Sequence, residues 1–230
     1  MSLDQNIVDR LSRASSWLLA ASALERETKL QKFDHHTLFI YRYIAFNSLY
    51  GRWKVEETQY RACMQFDLFF DNLIKLHLED KKKNGPTKLI LPNALVKCKP
   101  QWVELIENEF LDKRGYWDIP FHSRDFIEKY RVQKSAALRQ LDWRNFKPLL
   151  HLIFDRIWIL RNQIMHGGAT YGPDSAGWES VEIANPVLRA LIPAFYSLMK
   201  AYPETVKWPP IPYPRYGSDQ HVKRPPKSKI

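Results

Sequence analysis

Apolar residues recur along most of this chain at spacings of three and four, the period of one face of an α-helix, and clean strand alternation is almost absent. The pattern predicts a first helix through IVDRLSRASSWLLAASALERETKL, with Asp4 or a neighbour as its cap. A second, HHTLFIYRYIAFNSLYGRW, starts from Asp34. In it Phe39, Tyr43, Phe46, Tyr50 and Trp53 follow at spacings of four, three, four and three, so they share a face, with Asn47 beside it. Such a stripe is expected to pack in a core; stacking on nucleic-acid bases is the other use of the same rings. A third helix runs from Glu56 to about Glu79. Beyond it the Lys81–Lys83 run and Asn84-Gly85-Pro86 read as a solvated helix end and turn.

From about Lys88 to Ser123 the periodicity weakens. One short helix, PQWVELIENEFLDK, precedes the loop RGYWDIPFH, and residues 88–123 are expected to form an irregular insertion or lid. Ser123 caps a helix RDFIEKYRVQKSAALRQL. A long helix follows from about Asn145 to His166, and a last one from Pro186 to Ala201, with proline in its first turn. The chain then reads KWPPIPYPRYGSDQHVKRPPKSKI, with six of the 15 prolines, six basic residues and one acid. That composition predicts an extended or disordered tail over 207–230, serving either to grip RNA or to keep the chain soluble. Residues 1–206 are expected to form one all-α domain.

Composition adds limits. The chain has 230 residues, 45% of them hydrophobic, enough for one substantial core, and its 8 glycines fit helices better than a turn-rich β fold. Cys63 and Cys98 are too few for a disulfide framework or a zinc cluster. The start resembles no signal peptide and no apolar run reaches membrane-spanning length, so a soluble, cytoplasmic protein is expected. A net charge of +10 favours a polyanionic partner, nucleic acid first. No cofactor or metal is expected: GxxxxGK[ST] and GxGxxG are missing, and His35-His36 lacks a second ligand pair at suitable spacing.

The helix ending in LRNQIMHGGATYG carries the candidate chemistry. At about 100° per residue, Phe146, Leu149, Leu150, Ile153, Ile157, Leu160 and Ile164 fall in one sector, the core face. Phe154, Trp158 and Met165 form an adjoining flank around Arg161, and Leu152 and Ile159 border the other side. His151, Asp155, Asn162 and His166 make a thin polar stripe. A helix apolar nearly all round suggests a partner subunit. Asn162, one turn before His166, can orient the imidazole. Arg161 lies about 140° from His166 around an ideal helix and would meet it only through a deformed helix end or across a dimer axis. The simplest alternative is a well-capped helix C-terminus.

Arg161-Asn162-x-x-x-His166-Gly167 at the end of a long helix, in an all-α chain, resembles the R-x4-6-H signature of HEPN-domain proteins. IAFNSLYGRW is similar to an earlier helix of prokaryotic, Apea-like HEPN proteins. The resemblance covers about residues 34–201 and implies a four- to five-helix bundle, to which the N-terminal helix, the insertion and the tail are additions. It also implies a homodimer in which two motifs face each other. Many such proteins are metal-independent endoribonucleases; others have lost catalysis and serve as binding or structural modules. A toxin of this kind implies an antitoxin partner, particularly one with nucleotidyltransferase features.

The residue types suit RNA cleavage without a metal. The substrate's own 2′-hydroxyl can attack the adjacent phosphate, leaving a 2′,3′-cyclic phosphate and a 5′-hydroxyl. Histidine, with an ordinary pKa of about 6.5, can move the protons, and arginine can hold charge on the phosphoryl oxygens. The expected roles are His166 as acid or base, Arg161 as phosphate clamp and Asn162 as orienting group. A second histidine, from the other subunit, would protonate the leaving oxygen. Gly167 and Gly168 open the run GGATYGPDSAG, expected as a mobile substrate-binding loop in which Tyr171 stacks on a base. Three readings therefore stand: a HEPN-type endoribonuclease acting as toxin or defence effector, a non-catalytic RNA-binding and dimerising module, or a helical protein whose motif is coincidental.

Overall fold

The computed structural model describes residues 4–27, 34–51, 62–85, 88–111, 146–168 and 177–211. Every regular element among them is helical: α1 (Gln5–Glu27), α2 (Asp34–Tyr50), α3 (Ala62–Asn84), α4 (Ile90–Lys97), α5 (Lys99–Glu107), a single 3-10 turn (Glu109–Leu111), α6 (Lys147–Met165) and α7 (Trp178–Ala201). Among the described residues the helical bundle expected from periodicity is therefore what forms. Asp4 starts α1 as anticipated: its carboxylate accepts the Asn6 amide at 2.9 Å, and its carbonyl accepts the amides of Ile7 and Val8. The helix expected over residues 124–141, Trp53 and Tyr171 lie outside the described residues.

The last helix organises the fold. α7 packs against each of α1 to α6 and buries Val181, Ala184, Leu188, Leu191, Phe195 and Leu198 at the three- and four-residue spacing of one face. It begins at Trp178 and not at Pro186, because its apolar face already starts at Trp178 and Val181. Pro186 and Pro193 consequently sit inside the helix, each removing a backbone donor; an interior proline costs about 3 kcal/mol, which the burial on either side must outweigh. Gly177 opens the helix at φ 92°, a left-handed conformation that a side chain would strain.

The aromatic stripe of α2 is a packing face. Phe39, Tyr43, Phe46 and Tyr50 are all buried. Phe46 stands at the centre, with ring centroids 4.3 Å from Phe154 of α6, 4.5 Å from Tyr50, 5.6 Å from Phe66 and 5.8 Å from Phe69. Phe154 in turn meets Phe195 at 5.6 Å. Rings at these separations add edge and offset contacts of about 0.5–1.5 kcal/mol per pair to the burial itself.

Two expectations need correction. Residues 88–111 are not an irregular lid. They form α4, which the periodicity does not predict, and α5, which lies in the expected helix PQWVELIENEFLDK; Leu91, Leu95, Trp102, Leu105 and Ile106 of the two are buried against α7 and α6. The indole of Trp102 donates to the Leu95 carbonyl at 2.9 Å and ties the two short helices together. The periodicity looked weak because each helix is only eight or nine residues long, with the break at Cys98.

The first residues of the proline-rich segment, 207–211, are also not the unpacked chain that their composition suggests. Trp208 is 3% exposed and Ile211 is buried. Arg10 of α1, itself fully buried, holds this segment down. Its guanidinium donates to the carbonyls of Leu49 (2.7 Å), Gly51 (2.6 Å) and Pro209 (2.8 Å), and lies 5.9 Å from the Trp208 ring centroid. Proline lowers helix propensity but leaves carbonyls free to accept, and Arg10 uses one. Residues 212–230 lie outside the described residues.

A second buried polar centre joins the far ends of α3, α4 and α7. Asp80 accepts from the Tyr202 hydroxyl (2.9 Å), the Asn84 amide (2.8 Å) and the backbone amide of Ile90 (3.0 Å). It thereby serves one of the amides at the start of α4 that has no partner within the helix. Lys83 lies 4.9 Å over the Tyr202 ring, so at least one member of the lysine run has a structural contact. None of the described helices is long and apolar enough to cross a membrane.

Candidate functional site

α6 ends at Met165, with His166 as its C-cap at φ −103° and ψ 10°. The His166 amide closes the last turn onto the Asn162 carbonyl at 2.9 Å, and Gly167 follows at φ 74° with its amide on the Ile164 carbonyl. Glycine is therefore required by the helix stop itself at 167. Gly168 is exposed beside it. The His166 side chain is exposed, and no hydrogen bond or ion pair engages its imidazole among the described residues.

Arg161 faces another way. Its side chain is half-buried against α2, with the guanidinium carbon 5.9 Å from the Tyr43 ring centroid. Nη1 donates to the carboxamide oxygen of Asn162 at 2.9 Å. Burial pushes the Tyr43 phenol up from its ordinary pKa, while the Tyr50 hydrogen bond and the Arg161 charge pull the other way. Arg161 closes one side of a shallow recess of about 80 Å³, lined by Phe39, Ile40, Tyr43, Ile44 and Asn47 of α2 and by Ile164 and Met165 of α6. The recess is apolar except for the guanidinium and the Asn47 side chain, whose amide makes no hydrogen bond among the described residues.

Of the residues singled out by sequence, the fold brings Arg161 and Asn162 into direct contact. It leaves the His166 imidazole at the helix end, on the surface. Asn162 differs most from its helical-wheel position: it is 8% exposed, not part of a solvated stripe, and its carboxamide oxygen serves Arg161. The wheel also offered both flanks of α6 to a partner, but Phe154 and Ile159 are buried within the chain itself. Met165, at 55% exposure, is the large apolar side chain of α6 left open.

Sequence reasoning missed Tyr43 and Asn47 as neighbours of Arg161. The signal was present, since both stand on the α2 stripe or beside it, but no periodicity says which helix that stripe meets. His151, on the polar side of α6, approaches Asp67 of α3 at 3.1 Å, and Lys147 contacts Asp71 at 2.7 Å. These pairs pin the start of α6 to α3. His35 and His36 flank the Trp178 ring at centroid distances of 5.2 and 5.3 Å, and no group of three His, Cys, Asp or Glu among the described residues is placed to hold a metal ion.

Chemically, the end of α6 offers an exposed imidazole, a guanidinium with donors left after its bond to Asn162, and an apolar recess beside them. No protein-family model, no curated protein and no solved structure matches this chain.

Proposed function

We propose that the chain is a metal-independent endoribonuclease of HEPN type, acting as a homodimer in toxicity or defence, with Arg161 and His166 as its catalytic pair. The observation that carries this reading is the exposed His166 at the stop of α6, with a guanidinium held in place five residues earlier. Arg161 is oriented by Asn162 and Tyr43, so it presents its remaining donors to a phosphate without first having to be ordered. His166 takes the proton from the 2′-hydroxyl as that oxygen bonds to phosphorus. The 5′-oxygen leaves and is protonated by the equivalent histidine of a second copy, giving a 2′,3′-cyclic phosphate and a 5′-hydroxyl. Asn162 acts here through Arg161, as a positioning residue. The residues after Gly168 supply substrate contacts, Tyr171 among them, and an antitoxin would act by covering the α6 end.

The test is cleavage of end-labelled single-stranded RNA and tRNA in EDTA by the parent, Arg161→Ala and His166→Ala. Cleavage by the parent alone, with cyclic phosphate ends, is the expected result. No cleavage of any RNA by the parent overturns it. One observation favours the rival, non-catalytic module: the guanidinium already has Asn162 and Tyr43 as partners, as a structural arginine would. On that view Arg161→Ala lowers the melting temperature while His166→Ala changes neither stability nor RNA binding.

A further inference from the structure

We infer that the recess between α2 and the end of α6 is a pyrimidine-base subsite, with Asn47 reading the base and Arg161 holding the phosphate attached to it. The inference rests on the endoribonuclease reading for its biological use, but its geometry stands apart from His166. The recess is lined mainly by apolar surface, Ile44 and Ile164 included, with Asn47 and Arg161 as the amide and cation among its lining residues. An apolar surface with one cation and one neutral amide suits a planar, neutral ring that carries an anionic substituent; a nucleotide has that form.

Size narrows the choice. An enclosed apolar cavity that accepts benzene measures roughly 150 Å³. A recess of about 80 Å³, open to solvent, seats part of one six-membered ring, and we assign that ring to a pyrimidine, the single-ring base and so the smallest that can use it. The Asn47 carboxamide offers a donor and an acceptor side by side. One orientation matches the O4 and N3–H edge of uracil, and the flipped one the N4–H and N3 edge of cytosine. Both pyrimidines are therefore accepted.

Position connects the subsite to the chemistry. Met165, which lines the recess, directly precedes the exposed His166 in sequence, and the inference requires the sugar and phosphate of a seated base to extend toward that end of α6. On this view Arg161 serves the scissile phosphate from the side of the base.

The experiment is equilibrium binding to the full-length His166→Ala chain, followed by NMR, with uridine 3′-monophosphate, adenosine 3′-monophosphate and inorganic phosphate as separate probes. Uridine 3′-monophosphate should bind about tenfold more tightly than the adenosine compound. Asn47→Ala should weaken the uridine probe by about fivefold, with the thermal melt unchanged. Ile44→Trp, which fills the recess, should abolish binding of the same probe. Equal affinity for the two nucleotides overturns the inference. So does equal affinity for inorganic phosphate, an Asn47→Ala variant that binds like its parent, or no binding at all. The parent's RNA cleavage is measured separately. Cleavage without pyrimidine preference keeps the nuclease reading and removes the subsite; nucleotide binding with no RNA cleaved by the parent does the reverse.

Discussion

Replacing Arg10 by methionine tests how the C-terminal segment is held. The side chain is fully buried and makes three hydrogen bonds to carbonyls of two separate stretches, residues 49–51 and Pro209. Burial, with a smaller contribution from Arg13, pulls its pKa down to about 10, so the guanidinium is still charged at neutral pH. Each hydrogen bond from a charged donor is worth about 1.5–3 kcal/mol, a gross loss of roughly 5–9 kcal/mol for the three. Methionine needs no desolvation of a cation, which returns several kcal/mol, but it leaves the carbonyls unserved. The net expectation is a destabilisation of about 3 kcal/mol. For a chain of this size that is a fall in melting temperature of about 6–12 °C, read by circular dichroism. Limited trypsinolysis gives a local readout. The exposed Lys207 precedes the buried Trp208, and cleavage between them should be slow in the parent and fast in Arg10→Met. A variant that melts within about 1 kcal/mol of the parent and is cut no faster at Lys207 refutes the argument.

Two further expectations concern buried titratable groups. Burial lowers the pKa of His77, which lies among Asp80, Lys81 and the Phe146 ring, and lowers that of His36 beside His35. Below the ordinary 6.5 the unfolded chain then binds more protons than the folded one, so stability should decline as pH falls from about 7 towards 5. His77→Leu should make the acid limb of the urea midpoint shallower; an unchanged slope would show that the buried imidazole does not contribute. Cys98 is buried and its thiol is pushed up to about 12, so iodoacetamide at pH 8 should modify it only after unfolding, as followed by mass spectrometry of the peptide containing it. Rapid modification in the folded chain would contradict the burial of Cys98 at the junction of α4 and α5.

Much of the helical order was legible because amphipathic period survives in long elements. α1, α2 and α6 fall within a few residues of their predicted spans, and the α2 stripe is buried as its spacing suggests. What local pattern could not give was the competition between local rules and packing. Pro186 is a good first-turn residue, yet Trp178 and Val181 extend α7 by two turns upstream because α7 is the helix against which every other one packs. Proline-rich sequence reads as unpacked, yet Trp208 enters the core because Arg10, nearly two hundred residues earlier, supplies a donor to the Pro209 carbonyl. α5 starts within a residue of the short helix expected from PQWVELIENEFLDK, whereas α4 is too short for a period to be recognised alone; its burial against α7 defines it.

The site shows the same limit at a finer scale. A helical wheel places Arg161 and His166 about 140° apart, and the fold keeps them apart: one leans on Tyr43, the other ends the helix. The wheel also makes Asn162 a neighbour of His166, but a carboxamide goes to the strongest donor within reach, and that donor is the adjacent guanidinium. α2 enters the arrangement through Tyr43, whose ring centroid lies 5.9 Å from the guanidinium carbon. If Tyr43 is what holds the arginine, Tyr43→Leu should release Arg161 and free Asn162 without altering His166, whereas Tyr43→Phe should keep the stack. Under the nuclease reading the leucine variant then loses cleavage and the phenylalanine variant retains it. Equal activity in the two would mean that the ring does not position the guanidinium, and that the bond to Asn162 suffices.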